Sequence, residues 1–288
     1  MNSTAPASVA QCTVTVVSNE AVARDTFRLR FEAPEMAAAI LPGQFLMLRA
    51  GSGTDPLLGR PFALYDVHDR AGQPAFIDVV YMVVGRGTAA LARCRPGDRL
   101  PAWGPLGNGF DPAPDGPVVF VAGGIGQTPF LALGKWWTGR RLYGGRDAGP
   151  ARATAATLLF GVRSRDLAAG ISDFRSAGIE IELATDDGSA GHHGFVTELL
   201  ARRLEAGQRP ARVVGCGPPS MLRALTRMVK EHDVPCDLSL ENHMACGFGA
   251  CFSCVAPIRQ PDGVMDLRRV CVEGPIFPAT DVVWDGGP

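Results

Sequence analysis

Near Pro117 the sequence changes its hydrophobic period, and that change limits what the chain can fold into. Upstream, Phe27, Leu29 and Phe31 alternate with Arg28, Arg30 and Glu32, a period of two that sets one strand face on a core and the other toward water. The runs QFLMLRA, PFALYDV and FIDVVYMVV repeat this texture between Gly, Pro and Asp. About six short strands separated by turn signals predict an antiparallel barrel. One short helix is expected inside it, at TAALARC before Pro96. Downstream, VVFVA, ATLLFGV, IEIELA and RVVGC alternate with the helical patterns FVTELLARRLE and SMLRALTRMVKEH. Strands alternating with helices predict a parallel sheet covered by helices. Between the first of these helices and the next strand lies TGRRLYGGRDAGPARATA, which has no hydrophobic period and reads as an exposed loop; its role is not assigned.

From Cys236 onward the chain is short and rich in Cys and Pro, with too few apolar residues to fold unaided. The expected architecture is therefore β plus α/β: an antiparallel barrel over 1–112, a parallel-sheet domain over 113–236 and a small module over 237–288 held by a metal centre. Four of the eight cysteines crowd into the last segment, at Cys246, Cys251, Cys254 and Cys271. The spacing C-x4-C-x2-C, then x16-C, lets thiolates wrap one side of a [2Fe–2S] cluster while the distant fourth cysteine closes it. Gly247 and Gly249 allow the tight bend that such a loop needs. A structural zinc site is the competing reading, but it favours two close pairs, and only Cys251 and Cys254 are spaced as one. A Rieske centre would need two histidines as ligands, and His243 is read as a surface or packing residue.

The totals exclude several classes. A formal net charge of −1 without a basic stripe argues against a nucleic-acid role. Apolar runs such as Val118 to Ala122 stop at glycines far short of a membrane span. The N-terminus MNSTAPASVAQC has neither the basic nor the apolar region of a signal peptide, so a cytoplasmic protein is expected.

Two pieces in the barrel suggest phosphate binding. Arg60, Pro61, Phe62 and Ala63 open a strand with a planar fork of donors suited to a pyrophosphate. Gly85-Arg86-Gly87-Thr88 enters the short helix, where free backbone N–H groups favour an anion, although Thr88 also reads as a simple cap. Two further pieces lie where parallel strands meet helices, the place at which open α/β sheets bind ligands. They are Gly123-Gly124-Ile125-Gly126-Gln127-Thr128-Pro129 and Cys216-Gly217-Pro218-Pro219. The first is not G-x-G-x-x-G, and Cys216 also reads as a small buried hydrophobe.

In order, RPFA, GRGT, GGIGQTP, CGPPSML and the four-cysteine tail resemble the ferredoxin–NADP reductase superfamily. More closely, together with WGPLGNGF, ATDDGSAGHHGFV and ENHMACGFGACFSC, they resemble the electron-transfer subunits of class 1B dihydroorotate dehydrogenase, over nearly the whole chain. The resemblance implies a barrel that holds FAD, an α/β domain for NAD and a C-terminal [2Fe–2S] module facing an FMN-containing catalytic subunit, in a heterotetramer of two copies of each chain that serves pyrimidine biosynthesis. It places FAD contacts at Arg60 to Ala63, at Val80, Tyr81 and Met82, and at Gly87 and Thr88, with cluster ligation by the four cysteines. The family usually carries Ser where this chain has Ala63, which removes a hydroxyl expected near the flavin ring. A monooxygenase reductase would need a fuller ferredoxin domain than the segment between His232 and Cys246 has room for. The small subunit of a ferredoxin–NADP transhydrogenase or of a sulfhydrogenase-type complex is the alternative enzyme. A redox sensor or zinc-stabilised interaction protein is the non-catalytic one. No general acid or base is assigned.

Overall fold

The computed structural model describes residues 9–51, 53, 55–145 and 153–284. Seven strands make the first sheet: β1 (Ala10–Ala23), β2 (Thr26–Glu32), β3 (Phe45–Leu48), β4 (Arg60–Ala63), β5 (Asp66–Arg70), β6 (Gln73–Met82) and β7 (Arg99–Leu106). Their order is β4-β3-β7-β1-β2-β6-β5, antiparallel throughout. β4 and β5 are consecutive in the chain yet occupy opposite edges, joined only by Leu64 and Tyr65. That short link bonds to both sides, Leu64 N–H to the Gln44 carbonyl and Tyr65 N–H to that of Asp78, each at 3.0 Å. The sheet must therefore curl until its edges meet, which is the predicted barrel. Leu29 and Phe31 point inward, fully buried, while Phe27 stays half-exposed and stacks on Tyr81 at 5.9 Å.

Two helices interrupt this sheet, not one. α1 (Pro34–Ala39) lacks a readable period because it is a single turn and a half opened by Pro34. α2 (Arg86–Leu91) begins before the expected TAALARC and ends inside it. The Thr88 hydroxyl accepts from the N–H groups of Val84 and Gly85, closing the first turn early. At the other end Asn19 takes the carbonyls of Leu91 and Cys94, drawing the chain off the helical path.

The second sheet contains β8 (Gly116–Gly123), β9 (Ala153–Val162), β10 (Glu180–Thr185), β11 (His192–His193), β12 (Arg212–Cys216) and β13 (Cys236–Ser239). The hairpin of β14 (Val255–Arg259) and β15 (Met265–Arg269) follows, and then β16 (Ile276–Pro278). The sheet order is β11-β10-β9-β8-β12-β13-β16, parallel except for β16. Val118 to Ala122 are buried on both faces, as a central parallel strand requires. The covering helices are α3 (Phe130–Trp137), α4 (Ile171–Ser176), α5 (Val196–Glu205) and α6 (Pro219–Glu231), the last burying Leu222, Leu225 and Val229 along one stripe. β13 and β16 bracket the cysteine segment, so its two ends are anchored in the second sheet.

The stretch expected as an exposed loop after α3 is partly packed. Tyr143 is buried and its phenol donates to the Asp66 carboxylate at 2.8 Å, while β9 starts at Ala153. A single buried Tyr carries no periodic signal, so the sequence pattern missed it. Residues 146–152 of that stretch lie outside the described residues. No helix among the described residues is long and apolar enough to cross a membrane.

Candidate functional site

The pieces singled out in the barrel come together. Arg60 opens β4, and its guanidinium lies over the start of α2: a Cβ at Gly87 would sit 3.2 Å from Arg60 Nε. One Arg60 nitrogen donates to the carbonyls of Leu58 (3.1 Å) and Gly59 (3.0 Å), which holds the fork in place with no carboxylate partner among the described residues. The first N–H groups of any helix lack internal acceptors. A cation above such a turn, with no side chain at Gly87 to fill the space, is a cradle that fits a phosphate. The Thr88 hydroxyl is spent on the turn itself, so only its backbone faces outward chemistry. Phe62 packs edge-on against Tyr81 at 5.6 Å, and Tyr81 donates its hydroxyl to Asn19, which also holds the end of α2. β4, β6 and α2 are thereby one unit. Pro61, Ala63 and Met82 are half-buried, and Val80 is buried.

The second pair of pieces is packed even more closely. A Cβ at Gly126 would lie 2.3 Å from the Cys216 carbonyl oxygen, and one at Gly123 would lie 2.6 Å from Pro218. Gly217 (φ +152°) approaches the Gly123 nitrogen in the same way. These glycines are required by the approach of two strand ends, β8 and β12, which are neighbours in the sheet. The turn Gly124–Gln127 also packs against β6, which brings this loop of the second sheet to a strand of the first. Gln127 is fully buried, and neither polar atom of its side chain has a partner among the described residues; Thr128 is buried beside it. Cys216 is buried with Sγ 3.9 Å from Glu241 Oε1. Burial first, then the Glu241 charge, pushes this thiol well up, so it stays neutral and is not poised as a nucleophile. Glu241 follows β13 and was not singled out from sequence, because a lone Glu after a strand has no spacing signal.

The four tail cysteines are neighbours: Cys246 lies against Cys251, Cys254 against Cys271, and Cys246 is near enough to Cys271 for its charge to be felt there. Among the described residues no three His, Cys, Asp or Glu side chains gather closely enough for a single ion. Four cysteine thiolates are the donor set that a two-iron centre would take, so the residues present fit such a group. Hydrogen bonding from Ser253, then from Cys246, brings the exposed Cys251 thiol down to about 6, whereas burial pushes Cys271 up to about 12. Gly247 (φ +80°) and Gly249 (φ +91°) shape the loop, and a Cβ at Gly247 would strike Met47 of β3 at 2.7 Å. The cysteine loop therefore lies directly on the first sheet. The His243 backbone bonds the side chains of Asn242 and Ser253.

Two sheets of these topologies, with a cysteine module seated on the first, define a flavin and iron–sulfur oxidoreductase of the ferredoxin-reductase type. Residues 13–110 match the oxidoreductase FAD-binding domain, and residues 241–283 match the iron–sulfur cluster binding domain of dihydroorotate dehydrogenase B. The chain is 37% identical to the electron transfer subunit of dihydroorotate dehydrogenase B (NAD(+)) from Desulforamulus reducens, covering 92% of this chain and 95% of that one. Identity to the Geobacillus kaustophilus subunit of the same name is 36%, over 94% and 97%. Among solved structures, an NADH-dependent reduced ferredoxin-NADP oxidoreductase superposes with TM-score 0.77 at 26% identity, over 99% of this chain and 92% of that chain. This chain belongs to the family of dihydroorotate dehydrogenase B electron transfer subunits.

Proposed function

We propose that this chain moves electrons between NAD(H) and an FMN-bearing dihydroorotate dehydrogenase subunit through FAD and a [2Fe–2S] cluster, in a heterotetramer of two copies of each subunit. The observation that supports this reading is the convergence of three distant segments: RPFA with GRGT, GGIGQTP with CGPP, and the cysteine loop resting on the strand beside RPFA. When bound, the flavin exchanges a hydride with the nicotinamide and single electrons with the cluster. Arg60 and the backbone at Gly87 and Thr88 would hold the FAD pyrophosphate, and Pro61 to Ala63 with Val80 to Met82 would line its ring. The glycine approach at Gly123, Gly126 and Gly217, with Gly124, Gln127, Thr128, Cys216 and Pro218 around it, would seat NAD. Cys246, Cys251, Cys254 and Cys271 would hold the cluster, within a flavin domain over 1–112, a nucleotide domain over 113–236 and a cluster module over 237–288.

The test separates the two halves of the claim. The lone chain, loaded with flavin and iron, should reduce ferricyanide with NADH yet leave dihydroorotate untouched. Dihydroorotate oxidation needs a base beside the hydride-donating carbon, and the proposal places that base on the partner. Adding the FMN-bearing subunit from the same organism should create NAD-linked dihydroorotate oxidation. A lone chain that oxidises dihydroorotate would overturn the two-subunit reading. A native partner of the ferredoxin-dependent transhydrogenase type would redirect the function to that complex.

A further inference from the structure

Between the flavin-side strand and the cysteine loop stands Trp103, near the end of β7. Its ring lies against Gly59, the residue before Arg60: a Cβ there would meet the Trp103 ring at 2.5 Å. Its indole N–H donates to the backbone carbonyl of Cys246, the first cysteine of the loop, at 2.8 Å. In the sheet Trp103 is paired with Met47, the residue on which Gly247 rests. Five residues on, Asn108 grips the other arm of the module. Its amide donates to the carbonyls of Glu273 (3.2 Å) and Ile276 (3.0 Å), and its Oδ1 accepts from the Ile276 N–H at 3.0 Å. The Asn108 backbone N–H adds a bond of 2.6 Å to the Gly274 carbonyl. Gly107, just before it, is fixed in turn by Gln44, whose amide donates to the Gly107 carbonyl at 2.8 Å.

We infer that the segment Trp103–Asn108 is a two-point clamp, with Trp103 as the positioning residue that sets the cysteine loop at a defined separation from the flavin-binding strand. Trp103 holds the arm that carries Cys246, Cys251 and Cys254, and Asn108 holds the arm that follows Cys271. The two arms are anchored at their far ends in the second sheet through β13 and β16. The clamp adds directed hydrogen bonds to the packing of Gly247 on Met47 that ties the module to the first sheet. A cluster that must exchange electrons with a flavin needs a fixed distance to it, and a hydrogen bond to the backbone of a ligand fixes that ligand's orientation. Trp suits the position because one rigid ring both covers the glycine beside Arg60 and reaches the Cys246 carbonyl. Leu or Phe would cover the glycine and leave the carbonyl without its donor.

The inference rests on the proposed cofactor set, and the parent chain reports on that first: a parent without flavin and iron–sulfur absorption would mean that the cofactor reading fails. With both present in the parent, Trp103→Phe and Asn108→Ala are compared with it for flavin content, iron release to a chelator and the spin resonance of the reduced cluster. Trp103→Phe keeps the ring and removes the donor. Outer-shell partners of this kind typically change metal retention by about 10- to 100-fold. Iron release about tenfold faster, with an altered resonance line shape and unchanged flavin content, is the expected result for Trp103→Phe. Asn108→Ala should speed iron release in the same way. Parent-like iron release and line shape in Trp103→Phe would overturn the positioning role, and so would loss of flavin together with iron. Parent-like iron release in Asn108→Ala would remove the second point of the clamp.

Discussion

Arg60 folds back onto the carbonyls of Leu58 and Gly59, and this self-bonding keeps its fork over Gly87. A charge-assisted bond from such a preset guanidinium to a phosphate is worth about 1.5–3 kcal/mol. Arg60→Ala is expected to raise the FAD dissociation constant by roughly ten- to a hundredfold on that scale, measured by flavin fluorescence on dilution. Retention equal to the parent would show a surface cation only. The residue type and its place beside Pro61 were readable from sequence. Its partner Gly87 was not, since nothing in the 26 intervening positions says that the two meet. Thr88 illustrates the opposite case: its reading as a simple cap is what its side chain does, closing the turn onto Val84 and Gly85.

At the level of elements, the contact between the β8 and β12 ends is made by backbone, so it tolerates no side chain at Gly126. A methyl there would stand 2.3 Å from the Cys216 carbonyl oxygen, and neither strand end is free to recoil because Val121 and Ala122 are buried between neighbours. Overpacking of this kind costs about 1–3 kcal/mol. Gly126→Ala should therefore lower the NADH kcat/KM with ferricyanide by about tenfold or more, because small displacements of a hydride donor are costly. Flavin content should stay at the parent value, since RPFA lies in the first sheet and GRGT opens α2 beside it. Unchanged NADH kinetics would remove this approach from the nucleotide site. The parallel sheet was legible because its strands are continuous apolar runs; α1 and the packed Tyr143 were not, because a single turn and a single anchor have no period.

For the whole molecule the cysteine loop is the junction, touching the first sheet through Gly247 and Met47 while its ends belong to the second. Cys251 is exposed, and hydrogen bonding from Ser253 and Cys246 lowers its thiol, which favours the thiolate form that binds iron. Cys251→Ser should lose the cluster and keep the flavin, as read by iron content and low-temperature spin resonance. NADH–ferricyanide turnover should persist in this variant, while coupling of NAD to the catalytic subunit should vanish. Full coupling without the cluster would take it off the electron path.

Local chemistry was enough for the sequence alone to determine the period-two barrel, the strand–helix alternation and the cysteine spacing, because each depends on residues a few positions apart. Only the tertiary structure decided that Gly59, Met47, Trp103 and Cys246 adjoin, that Glu241 reaches Cys216, and that the distant Cys271 comes beside Cys254 and Cys246. Those contacts join residues far apart in the chain, and they exist only once sheet order and curvature place strands from different parts of the sequence side by side.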